Sequence, residues 1–382
     1  MIAIPNLRKI NDGKRIYYNP TKEEKKNLER IKKEVRKKYD INPKSRDLII
    51  KQLISCLTNG DHITYNVSNV EISIIRTDIK NFFPSINKHK LYQKISNSSM
   101  LSSQTIDCLK PLFFSKKVIG IPLGLPFSGY LAELYLEGFD TDIQFVFQPV
   151  FYFRYVDDII IIRYTPLNFK ETPLVKQGEY HKLKCIFDKY DLQINTEKTD
   201  FLYYVPKNRD KKFEFTYLGY KFCIIEKKLD ISISEEKLDK ILYKIKHLFY
   251  LYKKSNRSDV EYWKLYYRLK NSIYGVTSLD KEQKIMRFGL GYSYKYINSV
   301  EQMNLIISMI KEQIYSCRLT SKKANTLLNL INYRNNCLEI LKKRYDYNMM
   351  TTNQREFMKQ RIGLTSPSDN LSKIFYVLYR DL

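Results

Sequence analysis

The sequence predicts an α+β core followed by a helical C-terminal region, and two patterns carry this prediction. Between residues 71 and 233, runs of β-branched and aromatic residues typical of strands alternate with segments of helical periodicity. From Ser234 onward, apolar residues recur three and four positions apart, as at Leu238, Ile241 and Ile245. The chain of 382 residues is long enough for two or three domains, each with a sizeable core.

The individual elements follow from local signals. Thr21 and Glu24 have the spacing of a capping box, which predicts a helix from Thr21 to about Lys38. Further helices are expected at 47–57, within 87–112, from about Ser128, and at 179–191, and strands at 71–78, within 150–162 as a hairpin, and at 192–205, 213–225 and 228–233. The helix that begins at Ser234 is expected to be followed by helices at 258–274, 299–317, 319–346, 352–361 and 369–380.

The chain is strongly basic, with 66 Lys and Arg residues against 41 Asp and Glu residues and a formal net charge of +25. This charge predicts a polyanionic partner, most simply nucleic acid, although a lysine-rich source genome would produce the same bias. The 32 Tyr and 20 Phe residues favour nucleic acid, because aromatic rings beside Lys and Arg stack on bases next to phosphate contacts.

Cysteine usage and hydropathy indicate the compartment. Six cysteines are scattered singly and only four histidines are present, so we expect reduced thiols and no zinc site. The N-terminus has no long apolar core, and no apolar run reaches the length of a membrane span. These observations predict a cytoplasmic protein that does not bind the membrane.

Three aspartates form the most informative pattern in the chain. Asp157 and Asp158 stand at the tip of the expected hairpin, and Asp78 ends another apolar strand. An ordinary Asp-Asp turn would explain the pair alone, but two carboxylates about 4 Å apart repel by roughly 4 kcal/mol at an effective dielectric constant near 20. A strand end with one aspartate beside a hairpin with two can bind two Mg²⁺ ions, which predicts nucleotidyl transfer.

Five segments in a fixed order resemble the motifs of the reverse transcriptases. Residues 78–86 (DIKNFFPSI) resemble the first catalytic motif, and residues 155–158 (YVDD) resemble the YxDD box. Residues 120–136 (GIPLGLPFSGYLAELYL) resemble the loop and helix beneath the template and the incoming nucleotide. Residues 192–199 (LQINTEKT) and 215–222 (FTYLGYKF) resemble the family's lysine motif and its primer-grip hairpin.

The resemblance implies a right-hand polymerase with an antiparallel palm sheet like that of an RNA-recognition motif. Basic, helical fingers are expected at residues 1–70 with part of 90–120, the palm at 71–235, and a helical thumb and C-terminal domain at 236–382. Asp78, Asp157 and Asp158 would be the catalytic residues and would hold two Mg²⁺ ions, for which Mn²⁺ is a substitute. The backbone carbonyl of Ile79 would be a further metal ligand.

The resemblance also assigns nucleotide contacts. Phe83 would stack under the sugar and exclude a 2′-hydroxyl, which implies dNTP substrates. Gly124 would let the backbone approach the nucleotide closely, and Ser128 would contact the nucleotide or simply cap its helix. Lys198 would neutralise or protonate the leaving pyrophosphate, unless it is an ordinary surface lysine. The triphosphate candidates in the fingers are Lys14, Arg15 and Arg46.

The resemblance places the primer grip in a tight hairpin. An ordinary tight hairpin that contacts no primer would have the same sequence signals. The primer-grip residues are Tyr217, Leu218, Gly219 and Tyr220.

The middle motif departs from the usual pattern of retron and group II intron enzymes. Those enzymes carry Pro-Gln-Gly, whereas this chain has Leu123 between Pro122 and Gly124. No nuclease signature follows the polymerase motifs, and a helical region of about 150 residues stands at the end. This combination resembles the bacterial unknown-group and abortive-infection reverse transcriptases, which defend cells against phage.

The resemblance implies RNA-directed DNA synthesis in antiphage defence, with dNTPs as substrates, a structured noncoding RNA as template and a cDNA product. A homo-oligomer or a second operon-encoded protein would also suit this class. Two alternatives stay open at the level of sequence. One is a template-independent or protein-primed DNA polymerase, and the other is a catalytically quiet RNA-binding scaffold on the same fold.

Overall fold

The computed structural model describes residues 4–13, 15–166, 169–207, 212–279, 284–366 and 370–380. The chain forms two compact units, Met1–Lys211 and Lys212–Leu382. The predicted division into fingers, palm and thumb places its boundaries at other residues and stays a prediction. Among the described residues, no helix combines the length and the apolar character needed to cross a bilayer.

In the part of the first unit that the structure describes, helices combine with two antiparallel sheets. Its helices are α1 (Lys22–Lys38), α2 (Arg46–Thr58), α3 (Phe82–Ser85), α4 (Lys88–Ser98), α5 (Ser103–Phe114), α6 (Ser128–Phe147) and α7 (Pro173–Lys189). Its strands are β1 (Lys9–Asn11), β2 (Ile16–Tyr18), β3 (Ile72–Asp78), β4 (Phe151–Tyr155), β5 (Asp158–Tyr164) and β6 (Asp200–Tyr204). Strands β1 and β2 form a hairpin that the sequence analysis did not predict.

The main sheet of the first unit has the strand order β4-β5-β3-β6, with every neighbouring pair antiparallel. Residues 159–162 of β5 are all isoleucine and all at most 1% exposed, because this inner strand is covered on both faces. Ile159 and Ile161 belong to one core cluster with Leu131, Phe139 and Phe187 of the covering helices. The predicted strand at 71–78 and the predicted hairpin are confirmed.

The first residues of helices α1 and α6 show which of two predicted helix caps is present. Thr21 and Glu24 form the predicted capping box, with the Thr21 amide donating to the Glu24 carboxylate and the Glu24 amide donating to the Thr21 hydroxyl. Helix α6 begins at Ser128 itself, and its N-cap residue is Phe127. The alternative role of Ser128 as a helix cap is therefore wrong, because its hydroxyl instead donates to the Pro122 carbonyl at 2.5 Å.

The second unit also mixes strands and helices. Its strands are β7 (Phe213–Tyr217), β8 (Tyr220–Ile225), β9 (Lys228–Ile233), β10 (Gly275–Leu279), β11 (Ile285–Phe288) and β12 (Arg344–Asp346). Its helices are α8 (Glu235–Lys254), α9 (Asp259–Ile273), α10 (Leu290–Ser293), α11 (Val300–Ser316), α12 (Ser321–Leu328), α13 (Thr352–Arg361) and α14 (Leu371–Tyr379).

Strands β7, β8 and β9 form an antiparallel meander that begins with a two-residue turn. Leu218 and Gly219 occupy the turn with φ angles of 47° and 79°, as a type I′ hairpin requires at both central positions. The outer strand β9 is covered by side chains of the second unit, since the Asn298 and Gln302 amides bond to its backbone at Ile231 and Ile233.

The helix predicted over 319–346 is wrong beyond Leu328. Its last residues form β12, which pairs in parallel with β10, while β11 pairs with β10 on the other side. These strands are three to five residues long, and β10 and β12 are far apart in the sequence. A short strand has too few residues to display a period, so its pairing depends on tertiary contacts that local patterns do not encode.

Candidate active site

Sheet register brings the three predicted aspartates together. Asp78 is the last residue of β3 and lies opposite Asp158, the first residue of β5. Asp157 precedes Asp158 in the turn between β4 and β5. One carboxylate oxygen from each side chain lies within 4.8 Å of the others, and this group is called the acid triad below. Asp78 is 6% exposed, and the other two are partly buried.

The turn that carries Asp157 is held by the backbone. Tyr155 pairs with Asp158 across the hairpin, which leaves Val156 and Asp157 as the two turn residues. The Ile79 amide, just after β3, donates to the Asp157 carbonyl at 3.2 Å. This bond joins the turn to the strand end that carries Asp78, so all three aspartates are attached to a rigid sheet rather than to a loop.

Burial and the crowding of negative charge raise the pKa values of Asp157 and Asp158, two members of the acid triad. Burial raises the pKa of Asp157, and the neighbouring Asp78 charge raises it further. Burial, followed by the charges of Asp157 and Asp78, raises the pKa of Asp158 from 3.8 to about 6. The charges of Lys198, Arg15 and Arg76 oppose these shifts without cancelling them. The triad therefore has an excess of negative charge that a cation would relieve.

Asp78 has two side-chain partners from the segment before β6. The Asn195 amide donates to Oδ1 of Asp78 at 3.0 Å, and the Lys198 ammonium lies 3.2 Å from Oδ2. The Asn195 backbone amide also donates to the Asp78 carbonyl at 2.9 Å. Sequence reasoning identified Lys198 but not Asn195. An asparagine just before a short 3-10 turn looks like a cap, and only the fold turns its side chain toward Asp78.

A cavity of about 870 Å³ opens beside the acid triad and is lined by Asp78, Asp157 and several basic side chains. The basic lining residues are Lys9, Arg15, Lys80, Lys117 and Lys198. A lining that contains both carboxylates and cations suits a ligand that carries phosphates and divalent cations together. The volume lies in the range of small-molecule sites, and this space is called the active-site cavity below.

Phe82 and Phe83 both line the active-site cavity, but Phe82 is 3% exposed and belongs to the core, whereas Phe83 is only partly buried. The backbone of Phe83 is fixed by the following loop, because the Ile121 amide donates to its carbonyl at 2.9 Å. Gly120 makes this approach feasible, since it has φ of +55° and a Cβ there would lie 2.1 Å from the Phe83 carbonyl oxygen.

Gly124 and Ser128 have contacts within the protein. A Cβ at Gly124 would lie 2.3 Å from the Tyr18 carbonyl oxygen, and the Tyr18 amide donates to the Leu123 carbonyl at 2.8 Å. Ser128 is 3% exposed. The glycine thus lets β2 dock on the middle motif, and the serine fixes the loop before α6. Their predicted roles as nucleotide contacts stay predictions.

The remaining predicted site residues are those of the primer-grip hairpin and the triphosphate candidates of the fingers. Tyr217 and Tyr220 are 3% and 2% exposed, and the Tyr220 hydroxyl donates to the Ser293 carbonyl within the second unit. The tight hairpin predicted there is present, and contact with a primer stays a prediction. Arg15 lines the active-site cavity, Arg46 begins α2, and Lys14 lies outside the described residues.

The acid triad fits divalent metal ions by its chemistry. Mg²⁺ takes oxygen ligands and is bound in nucleotide enzymes by one or two carboxylates together with substrate phosphates. The triad supplies three carboxylates at one point, the raised pKa values of Asp157 and Asp158 indicate uncompensated charge, and the cavity leaves room for phosphates. Ile79 lines the same cavity and its amide bonds to Asp157, and the role of its carbonyl as a further metal ligand stays a prediction.

The sequence matches a protein-family model, and the fold is similar to solved structures. Residues 22–222 match the family model described as reverse transcriptase (RNA-dependent DNA polymerase). Telomerase from Candida albicans, solved with the TWJ fragment of telomeric RNA, is 13% identical with a TM-score of 0.37, over 89% of this chain and 56% of that one. Apo telomerase from Candida tropicalis is 13% identical with a TM-score of 0.39, over 95% of this chain and 50% of that one.

The chain therefore spans about half the length of these telomerase chains. No curated protein matched the sequence. The family model covers more than half of the 382 residues and includes all three members of the acid triad and Lys198. The predicted α+β polymerase fold is confirmed, and the chain belongs to the reverse transcriptase family, the nucleotidyltransferases known as RNA-dependent DNA polymerases.

Proposed function

We propose that this chain is an RNA-directed DNA polymerase that adds dNTPs to a 3′-hydroxyl, with two Mg²⁺ ions held by Asp78, Asp157 and Asp158. The observation that supports this most strongly is the convergence of the acid triad at the wall of a cavity lined with cations. Bound Mg²⁺ would lower the pKa of the 3′-hydroxyl and balance charge on the phosphates. The carbonyl of Ile79 is proposed as a further ligand, and Mn²⁺ as a substitute ion.

The residues of the chain have separate proposed tasks in this reaction. A bond forms between the 3′-oxygen and the α-phosphorus, and the bond from the α-phosphorus to the pyrophosphate breaks. Arg15 is proposed to bind the triphosphate, because it lines the active-site cavity. Lys198 is 60% exposed while its ammonium lies 3.2 Å from Asp78, so it is available to neutralise or protonate the departing pyrophosphate.

Selection of deoxynucleotides is proposed to depend on Phe83. Phe83 lines the active-site cavity, and its backbone is fixed by Ile121, which limits how far the residue can retreat. A rigid ring beside the sugar leaves no room for a 2′-hydroxyl. Gly124 and Ser128 are retained as proposed nucleotide-loop residues that shape the backbone around this position, and residues 217–220 as the proposed primer grip.

We further propose that the enzyme acts in antiphage defence in the cytoplasm and copies a structured noncoding RNA into cDNA. The formal net charge of +25 supports a nucleic-acid partner. The apolar Leu123 in the middle motif supports the unknown-group and abortive-infection class over retron and intron enzymes. Assembly as a homo-oligomer or with a second operon-encoded protein belongs to the same proposal.

A template-independent or protein-primed polymerase is the second candidate, and one observation favours it. Leu123 lines the active-site cavity, where its backbone is bonded to Tyr18, so an apolar side chain stands where related enzymes present a glutamine. DNA that stays attached to the protein after denaturation, and is released only by protease, would support this candidate. A quiet RNA-binding scaffold would instead bind RNA without consuming dNTPs.

The experiment that tests the proposal is dNTP incorporation by purified protein with Mg²⁺ and an RNA template carrying a DNA primer. The wild-type chain should incorporate labelled dNTPs, and the Asp157→Ala/Asp158→Ala variant should not. An Asp142→Ala variant is a matched control, because Asp142 pairs with Lys189 on the surface of the same unit. Incorporation by the double variant at the wild-type rate would refute the proposed role of the triad.

A further inference from the structure

Val156 holds a strained conformation at the tip of the catalytic hairpin. It is the first of the two turn residues and has φ of +61°. Hairpins usually place glycine at such a position, and a β-branched residue in the left-handed region is an outlier. The residue that follows is Asp157, so the direction of that carboxylate depends on how this strained peptide is held. Strain of this kind persists only where surrounding contacts overdetermine it.

Arg154 lies two residues before Val156 and forms a direct hydrogen bond with it. One Nη1 hydrogen is donated to the Val156 carbonyl at 3.0 Å. The guanidinium is only 5% exposed although it lies next to the active-site turn. A buried arginine in this position is the side-chain counterpart of the backbone bond from Ile79 to Asp157, so the two turn residues are fixed from two sides.

The guanidinium is itself fixed by two carboxylates of α6. Nε and Nη2 donate to the two oxygens of Asp140 at 2.8 and 2.7 Å. Nη1 and Nη2 donate to the two oxygens of Glu133 at 3.2 and 2.7 Å. With the Val156 bond, these contacts use all five N–H donors of the side chain. Asp140 also accepts a hydrogen bond from the Tyr152 hydroxyl, which adds a second attachment to β4.

This arrangement acts through geometry rather than through charge. Two carboxylates more than balance the single positive charge of Arg154, so the residue cannot neutralise the acid triad. Only the planar fork of arginine meets two bidentate carboxylates and a carbonyl at once, whereas lysine has three donors around one nitrogen. The set of Arg154, Glu133, Asp140 and the Val156 carbonyl is called the Arg154 clamp below.

We propose that Arg154 is a positioning residue: the Arg154 clamp transmits the rigid position of α6 to the Val156 peptide and so aims Asp157 for metal binding. The inference rests on the proposed function, because it concerns how the acid triad holds divalent ions. Residues that orient metal ligands from behind typically contribute about 10- to 100-fold in metal affinity or activity.

The test compares Arg154→Lys with a matched control, Arg163→Lys. Arg163 lies on β5 opposite Ser73, away from the turn, and pairs with Glu179 at 2.6 Å. Both variants replace a largely buried arginine with lysine in the same sheet. Mn²⁺ binding is followed by electron paramagnetic resonance without substrate, and kcat and the KM for dNTP are measured separately on an RNA template. Circular dichroism verifies folding.

Arg154→Lys should weaken Mn²⁺ binding by about 10-fold or more and lower kcat by a similar factor, with little change in the KM for dNTP. Arg163→Lys should keep wild-type Mn²⁺ affinity and kcat, whatever its loss of thermal stability. If Arg154→Lys does not fold, Glu133→Gln replaces it, because it keeps an oxygen acceptor while weakening the clamp, and its Mn²⁺ affinity should fall several-fold.

Wild-type Mn²⁺ affinity and kcat in a folded clamp variant would overturn the positioning role while leaving the proposed function intact. Equal losses in the clamp variant and in Arg163→Lys would also overturn it, since they would show a general effect of destabilising the sheet. A wild-type chain that neither binds Mn²⁺ nor incorporates dNTPs would overturn the proposed function, and the inference with it.

Discussion

Replacement of Asp158 by asparagine should make the metal-free protein more stable at neutral pH. In the folded chain, burial and the charges of Asp157 and Asp78 raise the pKa of Asp158 from 3.8 to about 6. A carboxyl group whose pKa is raised by folding binds its proton more tightly in the folded state. Its contribution to stability is therefore full below pH 3.8 and falls as the pH rises through about 6.

The size of this effect follows from the pKa difference. The charged Asp158 carboxylate lowers the free energy of unfolding by about 3 kcal/mol at pH 7. This figure is an upper bound because Asp157 shares the repulsion. An asparagine side chain is uncharged at all pH values, so Asp158→Asn should raise the free energy of unfolding of the first unit by about 2 kcal/mol. For a unit of this size, that change raises the Tm by roughly 4 to 8 °C.

The assay is thermal unfolding by circular dichroism in the presence of EDTA, at pH 7 and at a pH below 4. The gain should be present at pH 7 and absent at the acidic pH. Mg²⁺ should reverse the order at pH 7, because it stabilises the wild-type triad and has fewer ligands in the variant. Trp263 is the only tryptophan of the chain and lies in the second unit. The unfolding temperature followed by its fluorescence should therefore change little.

Asp142→Asn serves as the control, because the pKa of Asp142 is shifted in the direction opposite to that of Asp158. A hydrogen bond from Lys189 holds the pKa of Asp142 below its usual range, so its neutralisation should lower stability slightly or leave it unchanged. A decrease in Tm for Asp158→Asn in EDTA at pH 7 would refute the reasoning. It would show that the three charges are already compensated within the protein and that the triad does not need a cation.

Three further predictions concern residues around the active-site cavity. Lys198→Ala should lower kcat about 100-fold with a small change in the KM for dNTP, because its ammonium is proposed to assist the leaving pyrophosphate, and steady-state kinetics on an RNA template measure this. Phe83→Val should raise incorporation of rNTPs relative to dNTPs by about 10-fold or more in a competition assay, while total dNTP incorporation stays measurable. Gly120→Ala should cost about 2 kcal/mol or more in urea unfolding, because the added Cβ would lie 2.1 Å from the Phe83 carbonyl oxygen at a φ of +55°. An unchanged kcat for Lys198→Ala would contradict the leaving-group role. An unchanged ratio of rNTP to dNTP incorporation for Phe83→Val would contradict selection against the 2′-hydroxyl by Phe83. An unchanged free energy of unfolding for Gly120→Ala would contradict the close approach of Gly120 to the fixed backbone of Phe83.

Local sequence signals were sufficient for the elements that position the acid triad. The strand that ends at Asp78 and the hairpin that carries Asp157 are long enough to display their patterns, and the Thr21 capping box uses only neighbouring residues. The aspartates converge because the end of one strand lies beside the start of its antiparallel neighbour, which places Asp78, the last residue of β3, opposite Asp158, the first residue of β5.

Contacts between distant segments were not predictable in the same way. The bond from Asn195 to Asp78 and the clamp from α6 to Arg154 join residues whose identities are compatible with caps, surface pairs or many other partners. The sheet of β10, β11 and β12 was missed because each strand is too short to show a period. Ser128 was a candidate for either a nucleotide contact or the cap of α6, and its hydroxyl bonds to Pro122 instead of capping the helix because the preceding loop folds back over the helix start.

The most direct test of templated synthesis by the acid triad is the sequence of the DNA that the purified protein makes. A defined RNA template with an annealed DNA primer, all four dNTPs and Mg²⁺ is supplied to the wild-type chain and to Asp157→Ala/Asp158→Ala. We predict that sequencing of the wild-type product shows the complement of the template and that the double variant makes no extended DNA. A wild-type product unrelated to the template would contradict RNA-directed synthesis, and extension by the double variant would contradict catalysis by the triad.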